Sequence, residues 1–172
     1  MKTKLHSIAT AALVVALIGF AGVSQADPEV TLKFHHLLGP TSPAQVTMIE
    51  PWVKRVEESS HGKLKIDIYP SMTLGGSPPQ LIRQVRDGVV DMVWTVNGYT
   101  AGLFPRTEVF ELPFVHTNNP GATSRAMYDM FQSDLKPEYK GLKVMFLHVH
   151  AGQAFQMVDK LVRKPSDRSF TR

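Results

Sequence analysis

The side chains best able to do chemistry fall in two histidine pairs separated by more than a hundred residues. His35 and His36 are adjacent, whereas His148 and His150 stand one residue apart in "LHVHAGQ". Alternate residues of a strand project from one face, so His148 and His150 can share a metal ion, with His35 or His36 completing the set. A lone His-x-His is weak evidence for that chemistry. No His-Glu-x-x-His motif occurs and no carboxylate adjoins the pair. The chain has no cysteine, which excludes thiol catalysis and thiolate ligation. Ser42 and Ser71 lack the context of a nucleophile turn, and Asp67 and Asp91 lie inside strand-like runs with no motif around them. No catalytic residue, metal ligand or cofactor is therefore assigned. An exported metal-dependent hydrolase built on the histidines stands as the competing reading, to be separated by stoichiometric zinc that is lost when His148 and His150 are replaced.

The elements that must position these residues alternate between short strands and helices. "VTLKFHH" from Val30 is a strand with Val30, Leu32 and Phe34 on one side. Ser42 as N-cap and Pro43 at the first helical position open a helix whose apolar stripe is Val46, Ile49, Val53 and Val56. Pro51 should kink it. "KLKIDIY" alternates as a half-buried strand near an edge, "QLIRQVRD" is a short helix ended by Gly88, and "VVDMVWT" reads as a more central strand. Such an alternation predicts a parallel α/β unit. A long irregular connection follows through "FELPF". A helix over 120–135 then presents Met127, Met130, Phe131 and Leu135, and "LKVMFLHVH" is a fourth strand candidate.

In open α/β sheets ligands sit beyond the carboxyl ends of the strands. That rule gathers the loops 35–42, 70–76, 95–100 and 148–153. Trp94, Thr95, Asn97 and Tyr99 offer stacking and neutral hydrogen bonds there, and His35, His36, His148, His150 and Gln153 offer donors to an anion or carbonyl. For Trp94, packing at a strand end is an equal alternative. In "PSMTLGG", two glycines ahead of a capped helix imitate an anion cradle, although the spacing fits neither a Walker loop nor a dinucleotide fingerprint.

The first 26 residues read as an export signal. Lys2 and Lys4 precede a 13-residue largely apolar stretch, and Ser24-Gln25-Ala26 supplies small residues for cleavage after Ala26. That stretch is shorter than the ~20 residues needed to cross a bilayer, so no permanent anchor is expected. The remainder, residues 27–172, has the size of one domain, and loss of the two lysines lowers the formal charge from +4 to +2. No basic stripe with interleaved aromatics is left, which argues against nucleic acid as a partner.

Taken together, "LKFHHLLGPTSP", "IYPSMTLGGSPPQLIRQVRDGVVDMVW", "FPRTEVFELPFV" and "LHVHAGQ" resemble the substrate-binding proteins of tripartite ATP-independent periplasmic (TRAP) transporters, of the dicarboxylate-binding DctP type. The resemblance covers about residues 30–167. It implies a periplasmic protein of two α/β lobes that close over an organic acid and deliver it to TRAP membrane permease subunits, with no enzyme activity. The expected architecture is a periplasmic-binding-protein-like lobe, α/β with a mostly parallel sheet flanked by helices. Residues 27–150 would form this first lobe, and residues 151–172 the start of a hinge and second lobe. Ligand contacts are expected from His35, Trp94, Asn97, Tyr99, His150 and Gln153. The family's carboxylate-holding arginine lies in a strand beyond the segment matching "VRKPSD". Here the sequence reads "RSFTR" instead, so neither Arg168 nor Arg172 inherits that role. A chain carrying only one wall of the cleft is expected to bind weakly, since good sites bury ~70–90% of a ligand.

Overall fold

Three parallel strands organise the computed structural model, which describes residues 27–115, 119–150 and 162–164. They are β1 (Val30–His36), β2 (Leu64–Tyr69) and β3 (Met92–Trp94), in the order β2-β1-β3. Phe34, His35 and His36 pair with Met92, Val93 and Trp94, while Val30 through His35 pair with Leu64 through Tyr69. β1 is thus the central strand of this α/β layer. The continuously apolar run at 89–95 instead gives a short β3 on the outer side, with Asp91 joined to β1 through its N–H to the Lys33 carbonyl (3.1 Å).

The first connection differs from its predicted stripe in a way that matters. Pro51 has no N–H to give the carbonyl four residues earlier, and the chain ahead of it widens into a π-helical turn, Gln45–Ile49, before the α-helix α1 (Glu50–Ser59). The wider turn shifts the face. Gln45 points inward at 4% exposure, Val46 turns out at 48%, and Ile49 and Val53 remain buried. Ser42 accepts the Gln45 N–H on its hydroxyl at 3.3 Å, as a cap at that position should. With Phe34 and Ile66, Ile49 and Val53 form the core on this side of the sheet.

α2 (Leu81–Arg86) covers the other face. Its lead-in, the 3₁₀ turn Pro78–Gln80, is closed by the Gln80 side chain accepting the Ser77 N–H at 2.7 Å. The long connection beyond β3 is more ordered than its composition suggests. Two 3₁₀ turns, Asn97–Thr100 and Thr107–Glu111, flank the fully buried Phe104. α3 (Pro120–Met130) is capped by Asn119 and continues as a π-helical turn, Phe131–Leu135. Met127 and Leu135 are buried, whereas Met130 is 41% exposed, off the 127–131–135 stripe.

Residues 142–150 do not form the expected fourth strand. No ladder hydrogen bonds join them to another strand among the described residues. Leu142, Val144, Leu147 and Val149 all pack on the core of Phe104, Met127, Leu135 and Tyr139. The inward set therefore changes phase between 144 and 147, leaving Met145 and Phe146 both exposed. A regular strand requires an unbroken period of two. The segment lies extended along the core without one.

Candidate functional site

The strand order dictates where a ligand can enter. In a parallel sheet the space beyond the carboxyl ends of the strands, here those of the neighbouring β1 and β3, is where ligands are received. A groove of about 1170 Å³ lies there, lined from the strand ends by Leu37, Leu38, Trp94, Thr95, Val96 and Asn97, and by residues 141–150. Met48 and Trp52 extend its apolar lining, and Leu112, Pro113 and Phe114 belong to it as well.

Aromatic rings run through this region in series. Trp52 meets Phe34 edge-on (6.1 Å between centroids), Phe34 meets His36 (5.7 Å), His36 meets Trp94 (6.4 Å), and Trp94 meets His148 (5.6 Å). Phe146 stacks on the same imidazole at 5.6 Å. Edge-to-face and offset rings are the favoured geometries of aromatic pairs. The indole N–H of Trp94 donates to His148 Nε2 at 3.0 Å, so that nitrogen is an unprotonated acceptor in this arrangement. Burial lowers the pKa of His148; a backbone hydrogen bond with Val149 opposes the shift, and the charge of His150 adds to it.

The adjacent histidines of β1 point to opposite faces, as a strand demands. Each is fully buried and each meets a glutamine from the helical connection on its own side. His35 Nδ1 bonds Gln84 Oε1 at 2.8 Å, and its Nε2 accepts the Leu74 N–H at 3.4 Å. His36 Nδ1 accepts the Leu38 N–H at 3.2 Å, so Nε2 donates to Gln45 Oε1 at 2.8 Å, and the Gln45 amide donates in turn to Glu50 (2.9 Å). Burial lowers the His36 pKa; the Gln45 bond opposes that and the neighbouring His35 reinforces it. Both rings are tied into the core, and neither lines the groove.

The remaining expected ligand contacts divide. Trp94, Asn97 and His150 line the groove. Asn97 is also committed to a buried chain: its amide donates to the Tyr139 hydroxyl (2.7 Å), which donates to Thr107 (3.0 Å), which donates to Glu138 (3.0 Å). Burial raises the pKa of Tyr139, with the Thr107 and Asn97 bonds opposing. Tyr99 is 45% exposed and stands outside the groove lining. Gln153 lies outside the described residues. The groove also receives Phe146, Met48 and Trp52, which strand-end reasoning overlooked because it collected loops and not the faces of neighbouring segments.

Two chemical alternatives lose their ground. In the "PSMTLGG" turn the amides of Ser71, Met72, Thr73, Leu74, Gly75 and Ser77 are all hydrogen bonded within the protein, to Leu38, His36, Pro70, His35, Met72 and Gln80 respectively. The convergent set of free amides that an anion cradle needs is therefore not present. Among the described residues no group of three or more His, Asp or Glu side chains is arranged to hold a metal ion. The hydrolase reading also requires ring nitrogens that His35, His36 and His148 have already given to Gln84, Gln45 and Trp94.

A parallel α/β lobe with an apolar, ring-lined groove at the carboxyl ends of β1 and β3 is the framework of a solute-holding protein, and it has no catalytic constellation among its described residues. The chain belongs to the bacterial extracellular solute-binding protein family 7, the DctP family, whose model matches residues 34–167. It is similar to a TRAP solute-binding protein from Rhodoferax ferrireducens T118 solved in complex with copurified benzoate (48% identity, TM-score 0.67, 71% of this chain and 38% of that one). A marine metagenome TRAP protein specific for aromatic acid ligands, co-crystallised with 3-hydroxybenzoate, is similar at 45% identity and TM-score 0.68, over 73% and 39% of the two chains. The 2,3-diketo-L-gulonate-binding periplasmic protein YiaO of Escherichia coli K12 shares 29% identity over 83% of this chain and 42% of its own. The chain therefore spans less than half the length of these relatives. The hydrolase alternative finds no support among them: the family and these relatives are solute-binding proteins, not enzymes. Among the described residues no helix is long and apolar enough to cross a membrane.

Proposed function

We propose that this lobe forms one wall of a periplasmic cleft that captures an organic acid, with an aromatic monocarboxylate as the preferred class, for delivery to TRAP permease subunits in the membrane. The observation that carries the reading is the run of rings from Trp52 to Phe146 beside a groove of about 1170 Å³. Flat aromatic faces contribute about 0.5–1.5 kcal/mol per well-placed ring contact beyond area burial, a gain that an aliphatic acid cannot collect. The benzoate and 3-hydroxybenzoate bound by the two similar structures support the same class. In this reading residues 1–26 are the export leader, 27–150 the lobe, and 151–172 the start of the hinge. Trp94 and His150 meet the ligand from this wall, with Asn97 as a neutral hydrogen-bonding group beside them, and Gln153, outside the described residues, is the further contact the sequence suggests.

Tryptophan fluorescence tests it, in a Trp52→Phe background that leaves Trp94 as reporter. Benzoate should change the emission with a dissociation constant on the order of 1 mM, since one wall leaves much of the ligand wet. Succinate should bind more weakly, and Trp94→Leu should lower benzoate affinity in an equilibrium dialysis assay. Absence of any response to benzoate sinks the reading, while micromolar affinity sinks the one-wall account.

A further inference from the structure

The contact between Trp94 and His148 is unusual chemistry for a ligand wall. Two groups that both favour donating to an anion are instead satisfying each other. The indole has one N–H and nothing else to offer, and it is spent on His148 Nε2 at 3.0 Å. The imidazole neighbours both the Trp94 and the Phe146 rings, each with its centroid 5.6 Å away. Both residues line the groove.

We propose that Trp94 and His148 form a proton-gated clamp for the carboxylate of the solute. With His148 neutral, Nε2 accepts the indole N–H and the clamp is closed on itself. With His148 protonated, Nε2 becomes a donor, the internal bond is lost, and two N–H groups converge on one place in the groove. A carboxylate entering there accepts from both. One proton is taken up from solvent for each carboxylate bound, and the new imidazolium and the carboxylate neutralise each other. This rests on the solute-capture reading above and adds to it a recognition residue, His148, and a dependence on pH.

The other titratable groups around the groove do not substitute for His148. Asp91 accepts the Lys33 N–H (2.7 Å), Glu111 accepts the Gly98 N–H (2.9 Å), and the Tyr139 hydroxyl is held between Asn97 and Thr107. His36, on the far side of the Trp94 ring, bonds Gln45. Lys143 also lines the groove, and His150 opposes the charging of His148 through its own charge. Burial disfavours the charged form of His148, and a bound anion beside the ring opposes that penalty. By linkage, whatever raises the proton affinity of His148 on carboxylate binding raises carboxylate affinity equally as pH falls.

The test uses the full chain labelled with ¹⁵N, in the Trp52→Phe background so that one indole resonance remains, with benzoate as the probe. The Trp94 indole resonance should titrate with a midpoint below the usual histidine value of about 6.5. Benzoate should bind about tenfold more tightly at pH 5.5 than at pH 7.5. His148→Gln, which keeps hydrogen-bonding capacity but cannot titrate, should flatten both responses. An indole resonance that is still between pH 5 and 8 overturns the clamp. So does benzoate affinity that ignores pH, or a pH dependence that persists in His148→Gln. No benzoate binding at either pH overturns the solute reading itself, and the clamp falls with it.

Discussion

At the scale of single residues, the two histidines of β1 show how little an isolated residue type says about its task. His35 and His36 are equally polar, adjacent and fully buried, and each is neutralised by a glutamine from a different helical connection. Their cost appears in the dependence of stability on pH. The pKa of His36 is lowered in the folded state, so the unfolded chain binds the proton more readily. His36 is therefore no burden above about pH 6.5, and stability is lost as pH falls from there toward its folded pKa. His148, lowered as well, contributes with the same sign. Urea unfolding should give a smaller free energy at pH 5.5 than at pH 7.5, and His36→Asn should reduce that difference. Replacement of Gln45 by Leu should cost about 1–3 kcal/mol at pH 7.5, because it leaves the His36 donor buried without an acceptor. Equal stability of Gln45→Leu and the parent chain would remove the pair from the account.

Element by element, the decisive features are turns and not regular helices. The π-helical turn ahead of Pro51 brings Gln45 to His36 in place of Val46. The two 3₁₀ turns after β3 are fastened by Glu111, whose carboxylate accepts the Gly98 N–H at 2.9 Å, and a Cβ at residue 98 would meet that carboxylate. Gly98→Ala should accordingly displace Glu111 and destabilise the loop that carries Asn97, lowering stability by about 1–2 kcal/mol by thermal denaturation. Tyr139→Phe should break the Asn97–Tyr139–Thr107 chain at its centre and cost about 1–3 kcal/mol, leaving Asn97 an unpaired donor. If both variants melt with the parent chain, the loop is not held in the way described.

For the molecule as a whole, the pattern of exposure points to a surface made to be covered. Leu112, Phe114 and Val115 are 54%, 101% and 45% exposed, and Met145 and Phe146 are 57% and 46% exposed. Phe114 also holds a left-handed backbone, φ 69°, which is costly for a side chain with a Cβ. Contiguous apolar exposure of this kind marks a contact surface. The chain should bind a hydrophobic fluorescent dye in its native state, and joint replacement of Leu112 and Phe114 by Ser should weaken that signal without lowering the thermal midpoint. Undiminished dye binding in that variant would place the exposed apolar surface elsewhere. Export is testable separately: a secreted sample should begin at Asp27 by N-terminal sequencing.

The strand and helix order, the parallel pairing, the capping by Ser42 and the family resemblance were all legible in the sequence, because periodicity, turn chemistry and motif order are local properties of the chain. What 3.6-residue and two-residue periods could not reveal was where the period breaks. The π-helical turn moved Gln45 inward, and the phase change at Met145 and Phe146 removed residues 142–150 from the sheet. Nor could sequence choose between the histidines, since a side chain's role depends on which partner lies across the fold. Gln84 and Gln45 took His35 and His36 into the core, and Trp94, 54 residues away along the chain, took His148 into the groove wall. Local physics wrote the elements; only their packing decided which polar groups were already satisfied and which face the groove.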